Sequence, residues 1–276
     1  VTLKALLFDV DGTLADTEEI HRSAFNAAFR AAGLDWQWEP VLYQRLLKVT
    51  GGKERIRHYI DASHPELLAR PDLDHFVAGL HREKTRYYND WISTGQVPLR
   101  PGVRRLLEEA RAAGLRLAIA TTTTPENVES LLVSTLGPHG LQGFEVIAAG
   151  DCVPAKKPAP DIYHWVLHEM RLAPSVCMAF EDSVNGLRAG LAAGLTTLVT
   201  VNRYTEGEDF TGAVAVLSDL GEPEAPFQVL QGEVYGRSYI DVDLLRHWHA
   251  ADREARPCQP GITARSSASC TPPPAA

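Results

Sequence analysis

The stretch Lys4-Ala5-Leu6-Leu7-Phe8-Asp9-Val10-Asp11-Gly12-Thr13-Leu14 joins a short apolar run to two acids and a glycine. An apolar run of this length reads as a buried strand. In open α/β sheets, ligands bind beyond the carboxyl ends of the strands, and this run would deliver Asp9 and Asp11 to such an edge. Two carboxylates two residues apart can share a divalent cation, and Gly12 permits the sharp turn that keeps them near one point. An Asp-Gly turn with no further role is the plain alternative. The apolar lead-in and the adjoining Thr13-Leu14 favour a site.

The chain beyond residue 97 repeats one alternation. Val103–Ala113 has helical spacing and closes at Gly114. Leu115–Ala120 then reads as a strand, Pro125–Leu132 as a helix and Val146–Ala149 as a strand. Asp161–Met170 is helical, Val176–Phe180 a strand, Val184–Ala193 a helix closed by Gly194, and Thr196–Val201 a strand. This order predicts an α/β fold, a Rossmann-like parallel sheet with helices on both faces. Residues 18–95 break the pattern with helices only: Glu18–Ala32, Val41–Lys48, Lys53–Ile60 and Asp74–Trp91. An all-helical cap inserted after the first strand is expected there. The expected division is a core of residues 1–16 and 97–220 and a cap of residues 17–96, hinged near Ala15–Thr17 and Gln96–Pro101. An extension over 221–255 would pack on or near the core, with a last strand or helix in Tyr239–Trp248. The Pro-rich stretch 256–276 reads as a disordered tail, and the chain after Gly221 as dispensable for catalysis.

Composition sets limits on function. Of 276 residues, 45% are hydrophobic and 22% charged, enough apolar material for a real core. Lys and Arg number 27 against 35 Asp and Glu, a net charge of −8. That balance argues against nucleic-acid binding. No apolar run approaches the ~20 residues of a membrane span. Val1–Phe8 lacks the basic lead-in and cleavage site of a signal peptide, so a cytoplasmic location is expected. None of the four cysteines, Cys152, Cys177, Cys258 and Cys270, forms a CxxC pair, which suggests neither a zinc site nor a disulfide scaffold.

Other strand ends carry complementary chemistry. The second ends in Thr121-Thr122-Thr123-Thr124, hydroxyls and free backbone N–H groups ahead of a helix, which make a phosphate seat as well as a cap. The fourth ends in Glu181-Asp182-Ser183. Between them lies Lys156-Lys157-Pro158-Ala159-Pro160-Asp161, where a lysine beside prolines can neutralise a phosphoryl oxygen. In the cap, Arg45, Lys48, Lys53, Arg55 and Arg57 face a single acid, Glu54, between residues 45 and 58. Thr50-Gly51-Gly52 opens a helix there, a second candidate anion site. His81-Arg82-Glu83-Lys84 adds base on another helix, with His81 and Lys84 on one face. Two anion sites across a cleft would suit a substrate phosphorylated at both ends.

Taken together, D-x-D-G-T, the strand-end Thr, the Lys before P-x-P-D and the acidic E-D-S resemble the haloacid dehalogenase superfamily of aspartate-nucleophile phosphatases over about residues 3–217. The insert is similar to the helical cap of its subgroup one. The resemblance implies Asp9 as nucleophile, Asp11 as general acid and base, and Thr121 and Lys157 on the phosphoryl oxygens. It implies Mg²⁺ on Asp9, the Asp11 carbonyl and Asp182, with Glu181 nearby. T-G-G-K-E-R-I, H-R-x-K-T, A-T-T-T with Asn127, and K-K-P-x-P-D-I-Y resemble the CbbY branch, similar to phosphatases that remove the 1-phosphate of xylulose-1,5-bisphosphate, a Rubisco inhibitor. By that resemblance Glu18, Gly51, Gly52, Lys53, Glu54, Arg55, His81, Arg82, Lys84, Thr121, Thr122, Thr123 and Asn127 would line a sugar bisphosphate, the expected small-molecule partner of a monomer. A phosphomutase of the β-phosphoglucomutase kind shares the same motifs, and a non-enzymatic relative that binds partners is the remaining alternative.

Overall fold

The computed structural model describes residues 2–255. Cys258, Cys270 and the stretch read as a tail lie outside them. The strands are β1 (Ala5–Phe8), β2 (Arg116–Ala120), β3 (Val146–Ala148), β4 (Cys177–Glu181), β5 (Thr196–Thr200), β6 (Val216–Leu217) and β7 (Val229–Gln231). They form one sheet in the order β3-β2-β1-β4-β5-β6-β7, parallel except for the last pair. β1 is central. The strand order reverses at it, which is where an open sheet leaves a crevice at its carboxyl edge.

Alternation within the strands sorts side chains by size. Leu6, Phe8, Leu117, Ile119, Met178 and Phe180 project to one face, while Ala5, Ala118, Ala120, Ala148 and Ala179 project to the other. The large-residue face is covered by α5 (Val103–Ala112), α6 (Pro125–Leu136) and α9 (Val242–Ala255). The alanine face lets α7 (Asp161–Met170) and α8 (Val184–Ala192) approach closely. At Gly190 of α8 a Cβ would come within 2.6 Å of Thr197 Oγ1.

The segment between β1 and α5 is helical, as its pattern predicts: α1 (Glu18–Ala31), α2 (Pro40–Leu46), α3 (Gly52–Ser63) and α4 (Leu73–Ile92). Phe25, Phe29, Trp36, Trp38, Tyr43 and Tyr59 fill its interior. Asn26 holds the loop after α1 from inside, accepting from Trp38 N at 2.8 Å and donating to Trp38 O at 3.1 Å. The two connections to the sheet meet at one antiparallel bridge, Ala15 to Leu99.

The region after residue 220 differs most from expectation. Strand β7 adds to the sheet edge antiparallel to β6, and helix α9 starts only at Val242, three residues into the predicted segment. Phe227, Ile240, Leu244, Leu245 and Trp248 are buried in the main core beside α5. Arg105 of α5 ties the region down, donating to Glu222 Oε2, Ile240 O and Gly221 O at 2.7–2.8 Å. Among the described residues, no helix is long and apolar enough to cross a membrane.

Candidate active site

β1 delivers Asp9 to the crevice, where its N–H donates to Phe180 O of β4 at 3.0 Å. The chain then turns at Gly12, whose φ is +78°. A Cβ there would lie 2.2 Å from Asp182 Oδ2 and 2.5 Å from Asn202 Nδ2, so the turn also makes room for the neighbouring strand ends. Lys157 Nζ reaches in to 2.7 Å from Asp9 Oδ1 and 2.6 Å from Glu181 Oε1. Tyr163 donates to the same Glu181 oxygen, and Asn202 donates to Asp182 Oδ2 at 2.7 Å.

Asp9, Glu181 and Asp182 are all buried, and each offers an oxygen within 4.8 Å of the others. One ammonium among three carboxylates leaves a net negative cluster. Burial pushes Asp9 up to about 7, the Glu181 charge adds to the rise, and Lys157 opposes it. Burial and the charges of Asp9 and Glu181 push Asp182 well above the ordinary carboxylate range. Glu181 Oε2 is buried without a hydrogen-bond partner. A divalent cation would relieve the repulsion and satisfy that oxygen, and a donor set of hard oxygens suits Mg²⁺.

Asp11 faces the helical block. Thr17 Oγ1 donates to Asp11 Oδ1 at 2.6 Å, and His21 Nε2 of α1 lies 2.9 Å from the same oxygen. Lys84 Nζ of α4 sits 2.6 Å from His21 Nδ1. An ammonium only donates, so Nδ1 accepts and the ring proton resides on Nε2, toward Asp11. Burial opposes ionisation of Asp11, but the contacts from His21 and Thr17 outweigh it and hold the carboxyl below its usual range. Burial and the Lys84 charge lower His21, which is therefore neutral near pH 7. Burial brings Lys84 down to about 7.

The far end of the crevice opens at the start of α3. Gly51 has a φ of +95°, and a Cβ on Gly52 would strike His81 Nε2 at 2.5 Å. Burial, with the charges of Lys84 and Lys53, takes His81 down to about 3, so a neutral imidazole faces the cavity. Lys53 Nζ crosses the cleft to Asp151 Oδ2 at 2.5 Å, and Lys156 holds the other Asp151 oxygen at 2.6 Å. Arg55 is pinned by Leu46 O and Tyr43 OH, and Tyr43 donates to Glu18 at 3.1 Å. On the sheet side Thr124 caps α6, and Asn127 Nδ2 donates to Thr123 Oγ1 at 2.9 Å.

The residues singled out in the sequence share one cavity of about 590 Å³, lined by Asp9, Asp11, Glu18, Gly51, Gly52, Lys53, Glu54, Arg55, His81, Lys84, Thr121, Thr122, Thr123, Asn127, Lys157, Glu181 and Asp182. Arg82 is the exception. One position on from His81, it turns away and borders a separate groove with Ala28, Phe76 and Glu83 on the outside of α1 and α4. Helical geometry separates neighbours by about 100°, so only His81 and Lys84 can share the inner face. Several site groups were not anticipated: Thr17, His21, Asp151, Tyr163 and Asn202. Asn202 stands just past the end of β5, where the strand-end rule applied to the first, second and fourth strands would have found it. His21 lies one helical turn after Glu18, on the same face.

The family profile of the haloacid dehalogenase-like hydrolases matches residues 3–194. The chain is 47% identical to the plasmid-borne CbbY protein of Cupriavidus necator, over 90% of this chain and 97% of that one. It is 52% identical to the CbbY protein of Rhodobacter capsulatus, over 79% of this chain and 94% of that one. Among solved structures, it is similar to a mutant of CbbY from Rhodobacter sphaeroides in complex with xylulose-(1,5)bisphosphate. The TM-score is 0.72 and the identity 45%, covering 79% of this chain and 95% of that one.

Proposed function

The chain belongs to the haloacid dehalogenase-like hydrolases and is a phosphoric monoester hydrolase; on that premise we propose that it is a Mg²⁺-dependent phosphatase removing the 1-phosphate of xylulose-1,5-bisphosphate. The observation that carries this reading is the presence of two polar ends in one cavity. One end has Asp9, Lys157 and Thr121, and the other has Lys53, Arg55 and His81. The Rhodobacter sphaeroides protein crystallised with that bisphosphate supports the choice of sugar.

In this reading an Asp9 oxygen attacks phosphorus, the bond from phosphorus to the C1 oxygen breaks, and Asp11 hands its proton to the departing alkoxide. Lys157, already paired with Asp9, and the Thr121 hydroxyl hold the phosphoryl oxygens as charge develops on them. Asp11 is ionised in the free protein. A phosphate dianion beside it raises its proton affinity, so substrate binding loads the acid. Asp11 then takes a proton from water as the water attacks phosphorus, the bond to Asp9 breaks and inorganic phosphate leaves. Dividing hydrolysis at an aspartyl-phosphate replaces one difficult step by two easier ones. Asp9, Glu181, Asp182 and the Asp11 carbonyl would hold Mg²⁺, whose charge offsets the repulsion between carboxylate and phosphate.

The test is phosphate release from a panel of sugar mono- and bisphosphates with Mg²⁺, run beside isomerisation of a hexose 1-phosphate primed with a bisphosphate. The expected result is the highest kcat/KM on xylulose-1,5-bisphosphate, with one phosphate released per molecule. Isomerisation without phosphate release would replace this reading by a mutase.

A further inference from the structure

Arg100 is buried at 7% exposure in the second connection between the helical block and the sheet. Both of its terminal nitrogens donate hydrogen bonds. Nη1 donates to Gly12 O and, at 3.1 Å, to both Thr200 O and Thr200 Oγ1. Nη2 donates to Val201 O and Ser218 O, and Nε lies 3.3 Å from Asp16 Oδ1. Its own N–H donates to Leu14 O at 2.9 Å. Most of these acceptors are carbonyls at the ends of β5 and β6 or in the turn after β1, and the only carboxylate among them, Asp16, is largely exposed.

Two of these contacts flank Asp11. Gly12 is the next residue along, and Asp16 precedes Thr17, whose hydroxyl donates to Asp11. One rigid fork therefore holds the carbonyl of the residue after Asp11 and the residue beside its hydrogen-bond donor, referenced to the ends of β5 and β6. We propose that Arg100 is the positioning residue for Asp11, fixing where its carboxyl meets the leaving oxygen. This rests on the reading of Asp11 as general acid. Lysine would retain the charge but not the fork, because an ammonium cannot span acceptors on three chain segments.

The experiment is single-turnover release of the leaving group, with protein in excess and Mg²⁺ present, from xylulose-1,5-bisphosphate and from 4-nitrophenyl phosphate. The nitrophenolate leaves without a proton, so only the sugar ester depends on Asp11. Arg100→Lys is expected to slow release from the sugar ester by about 10²-fold and from the aryl ester by under about 5-fold, as misplacement of an acid predicts. Asp16→Ala, which removes only the exposed contact, is expected to give the same contrast at about 3-fold, and it decides the matter if Arg100→Lys does not fold. Equal losses on both esters in these variants would overturn the inference. Asp11→Asn is the control. If it shows the contrast and the other variants do not, only the role of Arg100 falls. If it lacks the contrast, the reading of Asp11 itself falls.

Discussion

Lys157 Nζ stands 2.7 Å from Asp9 Oδ1 across 148 positions of chain, and it is the cation that makes a buried carboxylate at the end of β1 tolerable. Lys157 also serves Glu181, so Asp9 is only partly neutralised. Asp9→Asn is expected to abolish phosphate release, since an amide is no nucleophile. The same change should raise the stability of the metal-free protein by about 1 kcal/mol, because it removes one of three crowded charges. The raised pKa sets the sign. An acid raised from 3.8 to about 7 costs stability only above pH 3.8, increasingly up to about 7. Calorimetry should therefore show the gain at pH 7–8 and none near pH 4. Substantial turnover in the variant would remove Asp9 from the nucleophile's place.

Cation binding should release a proton. Asp9 titrates near 7 without metal, and a ligand carboxylate must be ionised. Below pH 7 the apparent Mg²⁺ affinity is expected to fall by at least about tenfold per pH unit, since Asp182 is raised as well. Calorimetric titration in two buffers of different ionisation enthalpy measures the proton count. A count of zero at pH 6.5 would contradict it.

The Lys53–Asp151 pair makes a distinct prediction for substrate choice. Asp151 is held at about 2 by its hydrogen bonds from Lys156 and Lys53. It occupies, in the free protein, the lysine a second phosphate would need. Asp151→Asn is expected to lower KM for the bisphosphate about 3-fold, whereas Lys53→Ala raises it about 10-fold, as the loss of a charge-assisted contact implies. Neither should alter KM for 4-nitrophenyl phosphate. Steady-state kinetics on both substrates provides the check.

Lys84 illustrates a conflict between stability and activity. Burial lowers it from 10.5 to about 7, so the folded protein resists its charge. The cost is complete below pH 7 and fades as pH rises toward 10.5. Lys84→Met is expected to stabilise the protein by about 1–3 kcal/mol at pH 6 and by little at pH 10, while activity falls. Denaturant melts at the two pH values test it. A destabilised variant at pH 6 would show that the contact with His21 outweighs the burial cost.

Residues 221–255 should be needed for folding. Trp248 is 2% exposed, and its indole N–H donates to Glu233 O at 2.7 Å. Trp248→Ala is expected to cost about 3–5 kcal/mol, measured by urea titration, and a chain ending at residue 220 should not give a cooperative transition. A soluble, cooperative truncated protein would instead make the region a true appendage.

The sheet and its crossover helices were legible because their residues repeat simple periods. Leu6 and Phe8 point one way and Ala5 and Leu7 the other, and Asp161–Met170 was bounded correctly by Pro160 and its apolar spacing. The four strand-end motifs were legible because the chemistry sits where strands stop. The pairing of β6 with β7 was not, since strands of two and three residues carry no period. Nor was the partnership of Glu181 with Tyr163, or of Asp11 with His21. Such contacts depend on how separate elements pack, and no local pattern encodes them. Arg82 was placed wrongly by treating four adjacent residues as one motif when a helix turns each to a different side.

Position 12 is closed twice over: once by a backbone angle that side chains disfavour, and once by atoms of Asp182 and Asn202 that already fill the space. A drifting lineage thus finds no passable neighbour there, and relief at one constraint leaves the other standing. Anyone wishing to retune the cation preference of this scaffold should leave that glycine alone and vary Asn202, whose amide donates to the same carboxylate.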